Sequence, residues 1–223
     1  VFTIEDLKRF PRINRVHFLE CAANSGMEWR GSQLNGCQFT HGMIHNVMYT
    51  GVPLRLLLEE AGVRPTARWL LLEGADASAM TRSVPIEKAL DDVIIAYRMN
   101  GEMLRPENGY PVRAVIPGWE ANMWVKWLRR IEVGDQPWYQ REETSKYTDL
   151  LADGRSRKFT FIMDAKSVIT SPSPQAPLNH ARGFTVFSGI AWSGRGKIAA
   201  TTPSTAGAQA AARGSTGRCG TSR

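Results

Sequence analysis

One segment constrains the fold more than any other: residues 93–117, which read VIIAYRMNGEMLRPENGYPVRAVIP. Within it, Asn100-Gly101 separates two runs of residues, and Asn-Gly is the preferred dipeptide of the tightest hairpin turns. Asn108-Gly109 marks a second turn. Two strands joined by so short a turn must pair antiparallel. The segment therefore predicts antiparallel strands.

The clearest helix is predicted over residues 52–62, VPLRLLLEEAG. Leu54, Leu57 and Leu58 recur at a spacing that places them on one helical face. Pro53 suits the first turn of a helix, and Gly62 suits the left-handed residue that commonly ends one. A helix with one apolar face predicts packing against a sheet.

Other short elements alternate along the chain. Strands are predicted within RVHFLECA and RWLLLEG, and short helices within IEDLKRFP and SVPIEKALDD, with Ser83 before Pro85 as the start signal of the second helix. Short helices mixed with mostly antiparallel strands predict the α+β fold class.

From about residue 159 the pattern changes to strands only. KFTFIMDAKSVIT alternates Phe159, Phe161 and Met163, SPSPQAP is typical of a linker, and GFTVFSGIAWSGRGKI is typical of the start of a β-sandwich. Residues 199–223 contain no large apolar side chain, so they are predicted to be a disordered or out-of-frame tail.

The charge balance argues against nucleic-acid binding. The formal net charge is +7, but three arginines of residues 199–223 leave +4 (7 − 3) on the rest of the chain. The only dense basic cluster elsewhere is KWLRR, residues 126–130, which is typical of a solvated face or an anion contact. No run approaches the roughly 20 apolar residues of a membrane span, so none is predicted.

The cysteines raise a sharper question. Cys21, Cys37 and Cys219 form an odd, sparse set without a C-x-x-C pair, which argues against a zinc ribbon or a disulfide framework. Cys21 ends an apolar run and precedes small residues. Three roles stay open for its thiol: buried filler, half of a disulfide with Cys37, or ligand of a group that the sequence does not contain.

Several segments in the same order resemble the sulfite oxidase family of molybdopterin enzymes. They are HFLECAANSGMEW, YTGVPLRLLLEEAG, GIAWSGRGKI and the long run from LEGADASAMTRS to KWLRRIEVGD. FTHGMIH and REETSKYTDLLADGRSRKFTFIMDAKSVITSPSPQAP look most like the sulfane dehydrogenase molybdenum subunits of thiosulfate-oxidising (Sox) systems. The resemblance covers residues 1–198. It implies a sulfite-oxidase-type molybdopterin domain over residues 1–165 and the beginning of an immunoglobulin-like domain over 166–198.

The resemblance also implies roles for individual residues. Cys21 falls on the cysteine that ligates molybdenum, and Tyr147 corresponds to the catalytic tyrosine. Arg113 matches an arginine that holds the phosphate of the cofactor, and Asn108 stands where the oxidases have a histidine. Asp76 matches an acidic cofactor contact, with a loop-capping aspartate as the alternative. The full implied set of molybdenum-molybdopterin contacts is Cys21, Asp76, Asn108, Arg113, Trp124, Val125 and Lys126.

Substrate-side positions depart from the oxidases. Gly26 and Met48 replace arginines, and Phe39 aligns with a pocket tryptophan. Losing these cations should weaken binding of free sulfite, a small dianion, because close charge pairs matter strongly in a desolvated site, and a wider, less cationic pocket better suits a sulfane sulfur carried on a partner's cysteine. The resemblance therefore implies oxidation of sulfane sulfur on a carrier-protein cysteine, with free sulfite as the alternative substrate and a non-catalytic fragment without cofactor as the alternative outside catalysis.

The resemblance extends to partners and location. It implies a c-type cytochrome subunit as electron acceptor, the sulfur-carrier protein of the Sox system, and a homodimer formed through the immunoglobulin-like domain. It also implies a periplasmic protein, although the export signal of such proteins would precede residue 1.

Overall fold

A computed structural model describes residues 1–31, 35–178, 186–196 and 198. The chain forms two compact units. The first comprises Val1–Leu19 and Asn46–Phe161, and the second comprises Glu20–His45 and the described residues from Ile162 onward. The predicted tail over residues 199–223 lies outside the described residues.

The described elements are short. In chain order they are α1 (Ile4–Arg9), β1 (Ile13–Glu20), α2 (Cys37–His41), β2 (Ile44–Pro53), α3 (Leu54–Ala61), β3 (Trp69–Gly74), β4 (Thr81–Pro85), α4 (Ile86–Asp91), β5 (Ile94–Met99), β6 (Glu102–Met103), β7 (Arg113–Val115), β8 (Leu128–Gly134), β9 (Asp149–Leu150), β10 (Ser156–Arg157), β11 (Lys166–Ser171) and β12 (Ser188–Trp192). Turns of 3-10 helix occupy Gly26–Arg30, Pro106–Asn108 and Ala121–Met123, and a π-helical turn occupies Glu142–Lys146.

Two sheets organise the first unit. In one sheet the order is β1-β2-β5-β6, and β7 also pairs with β5. In the other, β3 lies between β4 and β8. The pairs β2–β5, β5–β6, β5–β7, β3–β4 and β3–β8 are all antiparallel. The α+β class with mostly antiparallel strands is therefore confirmed, and the turn at Asn100-Gly101 joins β5 to β6 as predicted.

The predicted helix over residues 52–62 is confirmed as α3. Leu54, Leu57 and Leu58 are buried, and Gly62 ends the helix in the left-handed conformation with φ of 69°. These leucines join a core built from β2, β3, β5 and β7. Burying this apolar face removes it from water, which is the main favourable contribution to folding.

Two local predictions are wrong. Ser83 does not start a helix, because it pairs with Leu71 in the β3–β4 ladder and α4 begins only at Ile86. The alternating Phe159 and Phe161 are not in a strand, since Phe159 has φ of 57° and β11 begins at Lys166. Phe161 instead stacks on Trp119, with ring centroids 4.2 Å apart. Aromatic packing placed these rings without a partner strand.

The second unit is built differently. It contains α2, the 3-10 turn Gly26–Arg30, and the antiparallel pair of β11 with β12. This pair is the part of the predicted immunoglobulin-like domain that lies within the described residues, so that domain stays a prediction. In the described part of the chain, no helix is long and apolar enough to cross a membrane.

Candidate active site

Cys21 lies directly after β1, in the second unit, at the start of a tight loop. We call residues 21–26 the thiol loop. The Cys21 N–H donates to the carbonyl oxygen of Met43 over 3.0 Å, and the Cys21 carbonyl accepts from the N–H of Asn24 over 2.9 Å. The N–H of Ser25 donates to the Thr40 carbonyl over 2.9 Å. The backbone on both sides of the thiol is therefore fixed.

The side chain of Cys21 remains available for chemistry. It is partly exposed, and both Cys21 and Cys37 are free thiols. Two of the three roles that the sequence left open, buried filler and a disulfide with Cys37, do not describe this thiol. A soft sulfur ligand at the end of a strand suits a transition metal. The donor chemistry of Cys21 thus fits a molybdenum ion.

Sequence reasoning missed the residue that precedes the thiol. Glu20 is completely buried, and three donors surround its carboxylate. Trp192 Nε1 donates to Oε2 over 2.6 Å, while Lys166 Nζ and Asn24 Nδ2 donate to Oε1 over 2.8 Å and 3.0 Å. The available signal was an acidic residue in an apolar strand just before the lone thiol.

Histidine 41 also belongs to this region. It is buried, its Nδ1 lies 2.8 Å from the hydroxyl of Thr40, and its ring meets that of Trp192 edge-on at 6.3 Å between centroids. No group of three or more histidine, cysteine or acidic side chains in the described ranges is arranged to hold a metal. The contacts of His41 with Thr40 and Trp192 are those of a packed, hydrogen-bonded side chain.

Arg113, on β7 of the first unit, is a buried cation that forms no ion pair with any acidic side chain of the described residues. Its Nη1 and Nη2 donate to the carbonyl oxygens of Asn108 and Trp124, each over 3.1 Å. Its Nε is buried and has no hydrogen-bond partner among the described residues. Burial lowers the pKa of Arg113, while the nearby Tyr49 works to raise it. A buried guanidinium with an unused N–H fits an anionic group such as a phosphate.

Lys126 and Arg113 both donate to carbonyl oxygens of the 3-10 turn Pro106–Asn108. Its Nζ donates to the carbonyl oxygen of Glu107 over 2.9 Å and lies 4.3 Å from the centre of the Trp127 ring. The backbone approaches closely here, since a Cβ at Gly109 would lie 2.9 Å from the Cβ of Lys126. Gly109 has φ of 103°, so glycine is required for both reasons.

Asp76 joins this group through Gly74. A Cβ at Gly74 would lie 2.8 Å from Oδ2 of Asp76 and 2.9 Å from the carbonyl oxygen of Lys126. Oδ1 of Asp76 accepts hydrogen bonds from the N–H and hydroxyl of Ser78 and from the N–H of Met80. Burial works to raise the pKa of Asp76, but these hydrogen bonds lower it overall. Asp76 thus caps its own loop.

Trp124 and Val125 are both buried in the core of the first unit. The Trp124 indole donates to the carbonyl oxygen of Trp119 over 3.0 Å, and its ring meets that of Tyr49 edge-on. The main-chain carbonyl of Trp124 accepts the hydrogen bond from Arg113 Nη2. A contact of residue 124 with a ligand is accordingly expected from the main chain.

Tyr147 has a separate set of neighbours in the first unit. Its N–H donates to the carbonyl oxygen of Glu142 over 3.2 Å, and its own carbonyl accepts from the Thr160 hydroxyl over 3.3 Å. The guanidinium carbon of Arg82 lies 5.3 Å from the centre of its ring. Arg82 is completely buried, and its Nη1 donates to the same Glu142 carbonyl over 2.8 Å.

The sequence analysis missed Arg82 and its neighbour Glu143. Burial lowers the pKa of Arg82, and nearby acidic groups, Glu143 first, work to raise it. The buried carboxylate of Glu143 accepts hydrogen bonds from the N–H and hydroxyl of Ser83 and from the N–H of Gln140. These contacts fix the π-helical turn that precedes Tyr147. The segment TRSVP is largely polar in sequence, so it gave no signal that Arg82 would be buried.

Asp76, Asn108, Arg113 and Lys126 all lie in the first unit, where Arg113 and Lys126 donate to the adjacent carbonyl oxygens of Asn108 and Glu107. Cys21 belongs to the second unit, and Tyr147 lies beside Arg82. Apolar side chains are exposed around the thiol loop, at Met27, Trp29, Phe39 and Met43.

Comparison with known proteins gives concordant matches. A family model for the oxidoreductase molybdopterin-binding domain matches residues 1–142. Mitochondrial sulfite oxidase of Drosophila melanogaster is 32% identical over 213 residues, covering 87% of this chain and 37% of the relative. The NADH nitrate reductase of Solanum lycopersicum is 36% identical over 149 residues, covering 60% of this chain and 16% of that enzyme.

A crystal structure of the sulfane dehydrogenase SoxCD from Paracoccus pantotrophus is also similar. It aligns with a TM-score of 0.83 and 62% sequence identity, over 90% of this chain and 51% of that chain. This chain therefore spans about half the length of the solved structure and 37% of the sulfite oxidase.

Proposed function

This chain belongs to the oxidoreductase molybdopterin-binding domain family, and from that premise we propose that it oxidises sulfane sulfur held as a persulfide on a carrier-protein cysteine. The observation that carries the proposal is the 62% identity, over 90% of the chain, to a structure of a sulfane dehydrogenase. The 32% identity to a sulfite oxidase supports only the broader class of sulfur-oxidising molybdenum enzymes.

Cys21 would hold the molybdenum of the cofactor through its thiolate. When bound, the molybdenum centre supplies two-electron oxidation of the substrate sulfur, with oxygen taken from water. The role of Cys21 is attachment, and no general base is needed nearby because a bound cation keeps the thiol deprotonated. The partly exposed, free thiol supports this role.

Arg113 would bind the phosphate of the molybdopterin through its unused Nε–H. It has two carbonyl partners that orient the guanidinium, and no acidic side chain in the described part of the chain neutralises it. Lys126 adds a second cation on the loop that Arg113 touches. Asp76 and Asn108 would contribute an acceptor and an amide to the polar edge of the pterin.

The surroundings of the thiol loop support a substrate carried on a protein. Trp29 and Phe39 are 92% and 52% exposed, and the Cβ position of Gly26 has no atom within 4 Å. An open site with apolar side chains suits a cysteine persulfide better than a small dianion. Tyr147, held beside the Arg82 guanidinium, would act as the catalytic tyrosine and donate a hydrogen bond to the substrate.

The proposal includes partners and a location. Electrons would pass to a c-type cytochrome subunit, the persulfide would arrive on the sulfur-carrier protein of the Sox system, and a homodimer would form through the immunoglobulin-like domain. The protein would act in the periplasm. The name of the similar structure, a SoxCD complex, supports a partner subunit.

Two alternatives are separated by assay. A sulfite dehydrogenase, which the 32% identity to a sulfite oxidase favours, would turn over free sulfite faster than a persulfide-loaded carrier in steady-state cytochrome reduction. A non-catalytic fragment would purify without stoichiometric molybdenum. The proposal requires bound molybdenum and a preference for the carrier.

The decisive experiment measures the metal environment. X-ray absorption of the chain expressed with cofactor should show three sulfur neighbours of molybdenum, and Cys21→Ser should leave two. Cys37→Ser is the matched control, since Cys37 is also a free, partly exposed thiol of the second unit. Three sulfur neighbours in Cys21→Ser would overturn the assignment.

A further inference from the structure

The buried carboxylate of Glu20 immediately precedes the thiol loop. We infer that Glu20 is a positioning residue that holds Cys21 for metal binding, and that Lys166 and Trp192 fix it there. The inference rests on the proposed role of Cys21 as the molybdenum ligand.

The hydrogen bonds of Glu20 fix the beginning of the thiol loop. The donors to Glu20 come from three separate parts of the second unit: Lys166 begins β11, Trp192 ends β12, and Asn24 lies in the thiol loop itself. Both carboxylate oxygens are used. Hydrogen bonds from different directions restrict where the Glu20 side chain, and thus the neighbouring Cys21 backbone, can lie.

The hydrogen bonds of Asn24 fix the thiol loop on the other side of Cys21. Asn24 is buried, and each of its polar groups forms a hydrogen bond. Its side-chain Nδ2 donates to Glu20, and its Oδ1 accepts from the Met43 N–H. Its backbone N–H donates to the carbonyl oxygen of Cys21, and its own carbonyl accepts from Lys166 Nζ over 3.1 Å. Lys166 therefore touches both residues that flank the segment 21–23. The thiol is held between two fixed points.

The buried charge of Glu20 has a physical cost that its function must justify. Burying an ion pair costs desolvation, and an apolar cluster of similar volume would stabilise the unit as well or better. What the carboxylate adds is direction, and a metal bond to Cys21 requires its sulfur to be placed within about half an ångström. Groups that orient metal ligands in this way commonly change metal affinity 10- to 100-fold when removed.

The test compares substitutions at the cluster with an exposed carboxylate of the same unit. Glu20→Gln turns one acceptor into a donor facing other donors, and Trp192→Phe removes one N–H while keeping a ring. Asp164→Asn is the control, since Asp164 is 76% exposed. All are made in the full chain, expressed with cofactor and also purified without it.

Three readouts are used. We expect Glu20→Gln and Trp192→Phe to lower molybdenum retained after gel filtration by about tenfold and to shift the Mo(V) paramagnetic resonance signal. In cofactor-free protein, the ratio of iodoacetamide modification rates at Cys21 and Cys37 should change by about threefold or more. Asp164→Asn should match the wild type in all three. Lys166→Arg, which keeps the cation, should retain more molybdenum than Lys166→Met.

The outcomes separate the two claims. If Glu20→Gln and Trp192→Phe keep wild-type molybdenum content, resonance and modification ratio, the inference is wrong, while loss of one sulfur neighbour in Cys21→Ser still supports the proposed function. A lower melting temperature with an unchanged resonance signal and modification ratio would reduce Glu20 to a structural role and also overturn the inference. Should Glu20→Gln fail to fold, Trp192→Phe decides alone.

Discussion

The two units of this chain are stabilised by different interactions. In the first unit, buried side chains are mostly apolar and form one core around β3, β5 and α3. In the described part of the second unit, the buried side chains are Glu20, Asn24, Thr40 and His41, with only Met163 and Trp192 as apolar members. Apolar burial is non-directional, whereas buried polar groups are tolerated only in specific geometry.

This difference matches what each unit would do. A core of leucine, isoleucine and valine supports a scaffold that tolerates modest repacking. A polar cluster gives less stability but sets positions, and the second unit carries Cys21, the thiol that we propose as the molybdenum ligand. The first unit combines both: Arg113 and Arg82 are buried cations at the edge of an apolar core.

The largest effect should come from the apolar core. Leu72→Ala, at a completely buried position of β3, should lower the free energy of unfolding by about 2–5 kcal/mol, because it removes apolar contacts and leaves a cavity. Urea denaturation followed by tryptophan fluorescence measures this. Leu150→Ala, at a position 81% exposed, is the control and should change stability by less than about 0.5 kcal/mol. Equal losses in the two variants would contradict a core-based first unit.

An intermediate effect is expected in the polar cluster. Asn24→Ala should cost about 1–3 kcal/mol, because it strands the buried Glu20 carboxylate and the Met43 N–H without one partner each. Asn46→Ala, on the exposed side of β2, serves for comparison. Hydrogen exchange would locate the change, with the amides of Cys21 and Met43 losing protection. If those amides keep their protection while the first unit loses its own, the contrast between the units fails.

The smallest expected effect is a change in how the stability of the protein depends on pH. Burial raises the pKa of Glu120, although hydrogen bonds from Asn122 and Thr160 oppose it. A carboxyl whose pKa is higher in the folded state binds protons more tightly there, so its contribution to stability is most favourable in acid and declines as pH rises through the folded pKa. Glu120→Gln should flatten that decline and stabilise the protein slightly at pH 7.

Thermal unfolding between acid and neutral pH checks this, with Glu107→Gln on an exposed loop as control. We expect a change below about 1 kcal/mol. If the stability of Glu120→Gln depended more steeply on pH than that of the wild type, the expected rise in the pKa of Glu120 on folding would be contradicted.

Much of the fold was predictable because it depends on local sequence. The hairpin at Asn100-Gly101 and the helix α3 with its glycine end follow from turn chemistry and spacing, and both are confirmed. The alternation of Phe159 and Phe161 misled because period two does not require a partner strand. Those rings are placed by Trp69, Trp119 and Tyr139, which lie far away in the sequence.

The residues of the candidate site likewise differ in how much the sequence alone reveals about them. From the residues alone one can read that a lone thiol ends an apolar run, that small residues follow it, and that the segment GYPVR carries an arginine beside a turn. The packed fold is needed to see that this arginine is buried with no acidic partner among the described residues, and that Glu20 accepts from donors 146 and 172 residues away. Such partners meet only when distant segments pack together, and no local pattern in the sequence records which segments those will be.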